Sequence, residues 1–521
     1  MVFRGPSILA GSLAALLDAS LRRTYDRDAL NMRLTSLDLA VIAVYLAGIT
    51  LFGVAFRRGQ HSVRDYFLGG RSAPWWALAL SIVATETSTL TIVGTPALAF
   101  AGNLTFLQFV LGYLIGRVAI VMLFLPHYFR GEYYTAYQMM EKRFGAKVKA
   151  VAASTFLVTR VLAEGVRVAA IALVVTAALG TGQRASILLI MGLVLIYTFE
   201  GGMKAVIWTD VAQFVLYFFG SLAAFFLLLH RIPGGWSSVV AAAAPAQKFR
   251  FLDVSFSFTN PAKLFTFWSG VVGGTFFTMG SHGTDQTIVQ RLLAARSERD
   301  SKLALLASGV VIFVQFVVFL VLGVMLYAWH GAPAVVAGRS YDSVFPDFIV
   351  SAMPSGARGA LLASILAVAM SNASGSLNSL AASSMVDFKH LRGLRELEND
   401  PKRLLSRSRW MTLVWGIALA ALATIQWGPM LEAGLTIAAI TLGSLLGLFL
   451  LTFLFSRATA AGVLIGMFAG LAAILYARFR TPLLWTWYVP LSAGITFGVG
   501  ALISVATGSR ATAENQDNQL Q

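Results

Sequence analysis

Cysteine is absent from this 521-residue chain, which excludes disulfides, thiolate metal sites and cysteine nucleophiles and leaves the redox compartment unread. Charge is also scarce, at 12% of residues, about half the share of an ordinary globular domain. The six histidines are scattered. No metal cluster, nucleophile with a base, or phosphate loop stands at membrane depth, so an enzyme is not the expected class.

Hydrophobic residues, by contrast, make up 57% of the chain and fall in runs of about twenty, the length that crosses a bilayer as a helix. The short alternation of an outer-membrane barrel is missing, so the expected fold class is an all-α integral membrane protein. Reading the runs against turn and charge clusters predicts about thirteen transmembrane helices, near 37–57, 75–101, 104–127, 147–179, 183–200, 203–229, 262–291, 302–328, 356–386, 408–427, 430–455, 460–478 and 483–506. Residues 1–36 read as an N-terminal extension, with Met32 an alternative start, and 507–521 as a disordered tail.

The formal charge of +16 sits between the hydrophobic runs, so it reads as topology at a lipid surface rather than as a nucleic-acid footprint. With the first span entering from outside, the inner loops collect Arg57, Arg58, Arg64 and Arg71, then Arg130, Lys142, Arg143, Lys147 and Lys149. Arg291, Arg296, Arg299 and Lys302 follow, then Lys389, Arg392, Arg395, Lys402, Arg403, Arg407 and Arg409. The expected orientation is amino terminus outside and carboxyl terminus cytoplasmic, although the outer 230–261 segment keeps Arg231, Lys248 and Arg250.

Polar residues at membrane depth mark the candidate site. Thr85-Glu86-Thr87-Ser88-Thr89 interrupts an apolar span. A carboxylate at a helix centre costs about 2.5–3.5 kcal/mol on insertion scales, so Glu86 implies a cavity and an unwound helix. Freed carbonyls and hydroxyls there are hard oxygen ligands for an alkali cation. Arg160, Glu164 and Arg167 share one helical face by their spacing of four and three. Their one excess positive charge can hold a solute carboxylate, join an internal network with Glu86, or anchor the cytoplasmic end.

Gly270, Gly273 and Gly274, followed by Gly280-Ser281-His282-Gly283-Thr284-Asp285, predict a second discontinuous helix. His282 reads more readily as structural than as a proton carrier. Ser371-Asn372-Ala373-Ser374 suggests either close packing or the far side of a cation site. Asp210 reads as a charge at a helix start or as part of that site.

Counted after the first span, the two broken helices are numbers one and six, as in a five-plus-five inverted repeat. With Asp65-Tyr66-Phe67-Leu68-Gly69-Gly70-Arg71 before Pro74-Trp75-Trp76, Ile196 to Val206, Trp208-Thr209-Asp210, Asp285-Gln286 before Gln290-Arg291, and Met370-Ser371 through Asn378-Ser379, the chain resembles the sodium:solute symporter family over about residues 37–455. The resemblance implies a leucine-transporter-like core: one extra helix at 37–57, a first repeat at 75–229, a second at 262–427 and three further helices at 430–506.

It also implies a coupling sodium ion held by Ala84, Thr87 and Val368 through backbone carbonyls, with Ser371 and Asn372. Val368 and Asn372 depart from the family's alanine and hydroxyl. A second sodium would draw on Asp210, Ser371 and Ser374, but Gly375 replaces a hydroxyl there. The solute pocket implied lies near Glu86, Ser88, Thr91, Arg160, Glu164, Ser281 and Asp285.

The expected function is sodium-coupled import of a small polar solute, a carboxylate, sugar or amino acid, across the bacterial inner membrane by alternating access. One inward positive charge contributes about 2.3 kcal/mol per 100 mV. Proton coupling through Glu86, Glu164 and His282 is the alternative within the class, and a membrane sensor the rival outside it. The expected partners are the solute and the bilayer, with no nucleic acid and no obligatory protein.

Overall fold

The computed structural model describes residues 34–56, 62–131, 133–179, 182–330, 341, 344–388, 401–425 and 430–517. Nearly all of the 1–36 extension and the centre of the basic loop at 389–400 lie outside these. The described residues are helical, with one isolated bridge between Ala73 and Ala295 and no strand.

The main helices are α1 (Ser36–Val54), α2 (Trp75–Glu86), α3 (Thr89–Ala101), α4 (Leu107–Leu123), α5 (Ala146–Leu179), α6 (Gln183–Arg231), α7 (Gly273–Gly283) and α8 (Gln286–Leu293). They continue with α9 (Glu298–His330), α10 (Ala357–Asp387), α11 (Pro401–Leu422), α12 (Met430–Leu454), α13 (Ala460–Arg480) and α14 (Tyr488–Asp517). The last helix runs past residue 507, where a tail was expected to begin.

Seven helices among the described residues are long and apolar enough to cross a membrane, eight with the bent α2–α3 pair. Thirteen spans were expected, and the physics of the interior explains part of the gap. The 34 residues of α5 are long enough to cross, but they carry Arg160, Glu164 and Arg167 on an inward face. Helices that build a site give up apolar composition to do so. At 183–231 the two expected spans form one element broken at Gly202, whose φ of 53° and ψ of −152° only glycine adopts readily.

The post of the molecule is α10. Its most apolar window is 94% buried, against 28% for α1, which turns its other faces outward. The two meet at their ends through Asp38, fully buried, whose carboxylate accepts from the N–H groups of Gly356 (2.8 Å) and Gly359 (2.9 Å) and from Arg358 (2.7 Å). Asp38 thereby neutralises the positive N-terminus of α10 as well as capping its own helix.

The outer 230–261 segment explains its own basic residues. Lys248 donates to carbonyls at the end of α3, Phe100 (2.7 Å) within it and Gly102 (2.9 Å) just past it, while Arg250 and Lys263 pair with Asp253 at 3.0 and 3.1 Å. Two of the expected inner-loop charges are buried instead. Lys149 pairs with Glu141 (2.6 Å), and Arg291 lies inside the bundle, 0% exposed.

Candidate cation and solute site

Both helix breaks fall where polar residues interrupt the apolar pattern. Helix α2 stops at Glu86, and Thr87 and Ser88 are extended (ψ 120° and 165°). Ser88 and Thr91 then cap α3 reciprocally: Thr91 N–H donates to Ser88 Oγ (3.2 Å) and Ser88 N–H to Thr91 Oγ1 (3.1 Å). The two halves meet at 63°. The second break follows a π-helical turn at Trp268–Val272: α7 ends at Gly283, and Asp285 caps α8 by accepting from Thr287 N–H (2.8 Å). Carbonyls released at this end are taken by tyrosines, Gly283 by Tyr128 and Thr284 by Tyr137 (3.0 Å).

The breaks are joined by a charge network that begins on α4. Arg117, fully buried, pairs with Glu86 and donates to His282 Nε2 (3.2 Å) and Ser308 Oγ (3.2 Å). His282 lies 3.3 Å from Glu86 and contacts Ser281 Oγ through Nδ1 (2.9 Å). A network between Glu86 and the Arg160 face was one of the three readings; the partner of Glu86 is Arg117. That residue is absent from the sequence reading, although the depth argument applied to Glu86 applies equally to an arginine inside the 104–127 run.

Arg160 has its own surroundings. Its Nε donates to Ser376 Oγ (2.9 Å), and Glu164 and Asp285 each lie 3.7 Å from its outer nitrogens, beyond hydrogen-bond range. Glu164 accepts from Arg167 (3.1 Å) and Ser376 (2.9 Å). Asp285 supplies the fourth charge, so the excess positive charge expected on this face is balanced. Arg160 Nη2 and Glu164 Oε1 are nevertheless buried without a hydrogen-bond partner among the described residues.

All five expected sodium ligands are buried, and hydrogen bonds bring Thr87, Val368 and Asn372 together. Thr87 is held by its hydroxyl, which donates to the Val83 carbonyl (2.8 Å) and accepts from Gln315 (2.8 Å). The Thr87 and Val368 carbonyls accept from the Asn372 amide at 2.6 and 3.1 Å. Ser371 Oγ donates to Asp210 (2.7 Å), which turns its lone pairs to anything beside it. Three carbonyls, a hydroxyl and an amide oxygen are a donor set that fits an alkali cation. Asn372 Oδ1, the oxygen such an ion would use once the amide turned over, is buried without a partner among the described residues.

Asp210 is no helix-end charge. It is fully buried, and Ser81 (2.5 Å), Ser371 (2.7 Å) and Arg291 (2.8 Å) surround it. A guanidinium stands beside the carboxylate expected to serve a second sodium. Gly375 makes the room, since a Cβ there would come within 2.6 Å of Arg291 Nη2. Ser374 turns its hydroxyl to the Ser371 carbonyl (3.0 Å).

The family model for the sodium:solute symporter family matches residues 66–470. The human sodium/iodide cotransporter is 32% identical over 460 residues, covering 86% of this chain and 70% of that protein. The sodium/sialic acid symporter SiaT of Proteus mirabilis is 28% identical over 466 residues, covering 87% and 91%. A solved structure of a Na+-coupled sialic acid symporter, substrate-bound and outward-open, superposes with a TM-score of 0.82 at 26% identity, covering 91% of this chain and 98% of that one.

Proposed function

The chain belongs to the sodium:solute symporter family, and from that premise we propose that it imports a small carboxylate-bearing solute together with one sodium ion. Alternating access would proceed around the two helix breaks, within two inverted repeats and about thirteen spans. The inner membrane, with the amino terminus outside, is the location that the distribution of basic residues supports.

Arg160 Nη2 is the observation that carries the choice of solute. It is a buried nitrogen with no hydrogen-bond partner among the described residues, with Glu164 standing off at 3.7 Å, and the other outer nitrogen of the same guanidinium, Nη1, lies 3.7 Å from Asp285 at the α7–α8 break. A guanidinium so placed suits a carboxylate, which offers it two oxygens at once. Iodide and sialic acid, named for the relatives, are both anions. Ser88, Thr91, Ser281, Asp285, Glu86 and Glu164 would complete the pocket.

Ala84, Thr87, Val368, Ser371 and Asn372 would hold the sodium ion. A second sodium at Asp210, Ser371 and Ser374 is disfavoured because Arg291 already neutralises that carboxylate. The test is uptake into proteoliposomes with an imposed sodium gradient, comparing monocarboxylates and sialic acid with neutral sugars and zwitterionic amino acids. Sodium-driven uptake confined to the acids is expected. Uptake driven by a proton gradient without sodium would move the coupling to the adjacent Glu86 and His282, and preference for neutral solutes would reject the Arg160 anchor.

A further inference from the structure

The Asn372 amide stands between two of the carbonyls expected to bind sodium. Its Nδ2 donates to Thr87 O (2.6 Å), on the broken helix, and to Val368 O (3.1 Å), one turn back on α10. Both protons of the nitrogen are thereby used, while Oδ1 is buried with no donor to it among the described residues. The assignment of oxygen and nitrogen follows from these neighbours. The reversed amide would set a third oxygen 2.6 Å from the Thr87 carbonyl with neither a proton nor a cation between them.

We propose that the Asn372 carboxamide is a built-in competitor for sodium: without the ion, its N–H groups occupy the same carbonyls and tie the broken helix to α10. This rests on the sodium reading above. To offer a cation its oxygen, the amide must turn over, giving up both hydrogen bonds. A hydroxyl at this position would lose much less, because a serine or threonine presents lone pairs without withdrawing a donor from the neighbouring carbonyls. The affinity for sodium is therefore set low by this side chain, and the helix break is held in place before any ion arrives. Thr87 is pinned independently by Gln315 and Val83, so the break has little freedom left for sodium to remove.

Thermal melting of the purified, full-length protein in sodium chloride against choline chloride reads both halves of the proposal. Asn372→Ser should melt lower than wild type in choline, having lost the bridge, and should reach half-maximal stabilisation at about one-tenth of the wild-type sodium concentration. Asn372→Thr should behave alike, which guards against a serine variant that does not fold. Equal sodium midpoints in wild type and both variants would overturn the competition while leaving sodium binding intact. Indifference of all three to sodium would overturn the sodium reading itself. In wild type, hydrogen exchange over residues 85–92 should be nearly equal with and without sodium; exposure of that stretch in choline would overturn the bridge.

Discussion

Arg291 and Gly375 act as one unit, and a single methyl group tests it. A Cβ at position 375 would meet Arg291 Nη2 at 2.6 Å, and the guanidinium is held on three sides by Asp210, Ser81 and the Thr287 carbonyl. Gly375→Ala should therefore destabilise the protein by about 1–3 kcal/mol through overpacking, seen as a lower melting temperature in any salt. Arg160 answers differently. If it anchors the solute, Arg160→Ala should weaken solute binding by roughly 2–5 kcal/mol, the range for truncating one partner of a buried charge pair, in a protein that remains folded. Titration of a carboxylate solute against melting temperature separates that outcome from a loss of the fold. Arg117 teaches how much of this was legible. Glu86 stood out because four hydroxyl residues flank it, whereas Arg117 is a lone charge in an otherwise apolar run. Asn372 was recognised as a departure, but its hydrogen bonds could not be read because Thr87 lies 285 residues away in the chain.

Elements are tied together at their ends, and those ties carry the next expectations. Asp38 unites the N-termini of α1 and α10. Asp38→Ala leaves Arg358 without its carboxylate, and the expected loss is about 3–5 kcal/mol. Chemical denaturation in detergent, compared with a surface substitution on α1, checks it. On the outer side, Asp253 is held down to about 2, below its ordinary 3.8, by hydrogen bonds from the Ser255 hydroxyl and N–H and by Lys263. A depressed carboxylate stabilises the fold above its unfolded value and loses that contribution as pH falls through the folded one. Protection from hydrogen exchange over residues 250–267, relative to the intrinsic rate at each pH, should accordingly fall between about pH 4 and pH 2, and Asp253→Asn should flatten the dependence. The helix breaks themselves were legible from Thr85 to Thr89 and from the glycines after Trp268, because polar and helix-weakening residues act locally. Arg291 was misread as an inner-loop charge because sequence places a residue along a helix without showing what the helix faces.

At the scale of the molecule, a central helix buried on nearly every side, two broken helices against it and a polar seam between them form a bundle whose interior is electrically compensated pair by pair. Asp210 meets Arg291, Glu86 meets Arg117, and Arg160 and Arg167 meet Glu164 and Asp285. Class and membrane character were legible from composition. The contacts of Glu164 with Arg160 and Arg167 were legible from their spacing of four and three, whereas the pairings of Glu86, Asp210 and Asp285 were not, because each joins residues on different helices. The guanidinium lodged beside Asp210 also bears on bioenergetics. On the one-sodium, carboxylate reading proposed above, with Arg291 beside Asp210 in place of a second ion, one sodium travelling with one carboxylate would move no net charge. The roughly 2.3 kcal/mol per 100 mV available to a lone cation is then unavailable to transport. Uptake should be unchanged when a potassium diffusion potential is imposed with valinomycin, and the highest accumulation ratio should equal the sodium concentration ratio rather than grow with voltage.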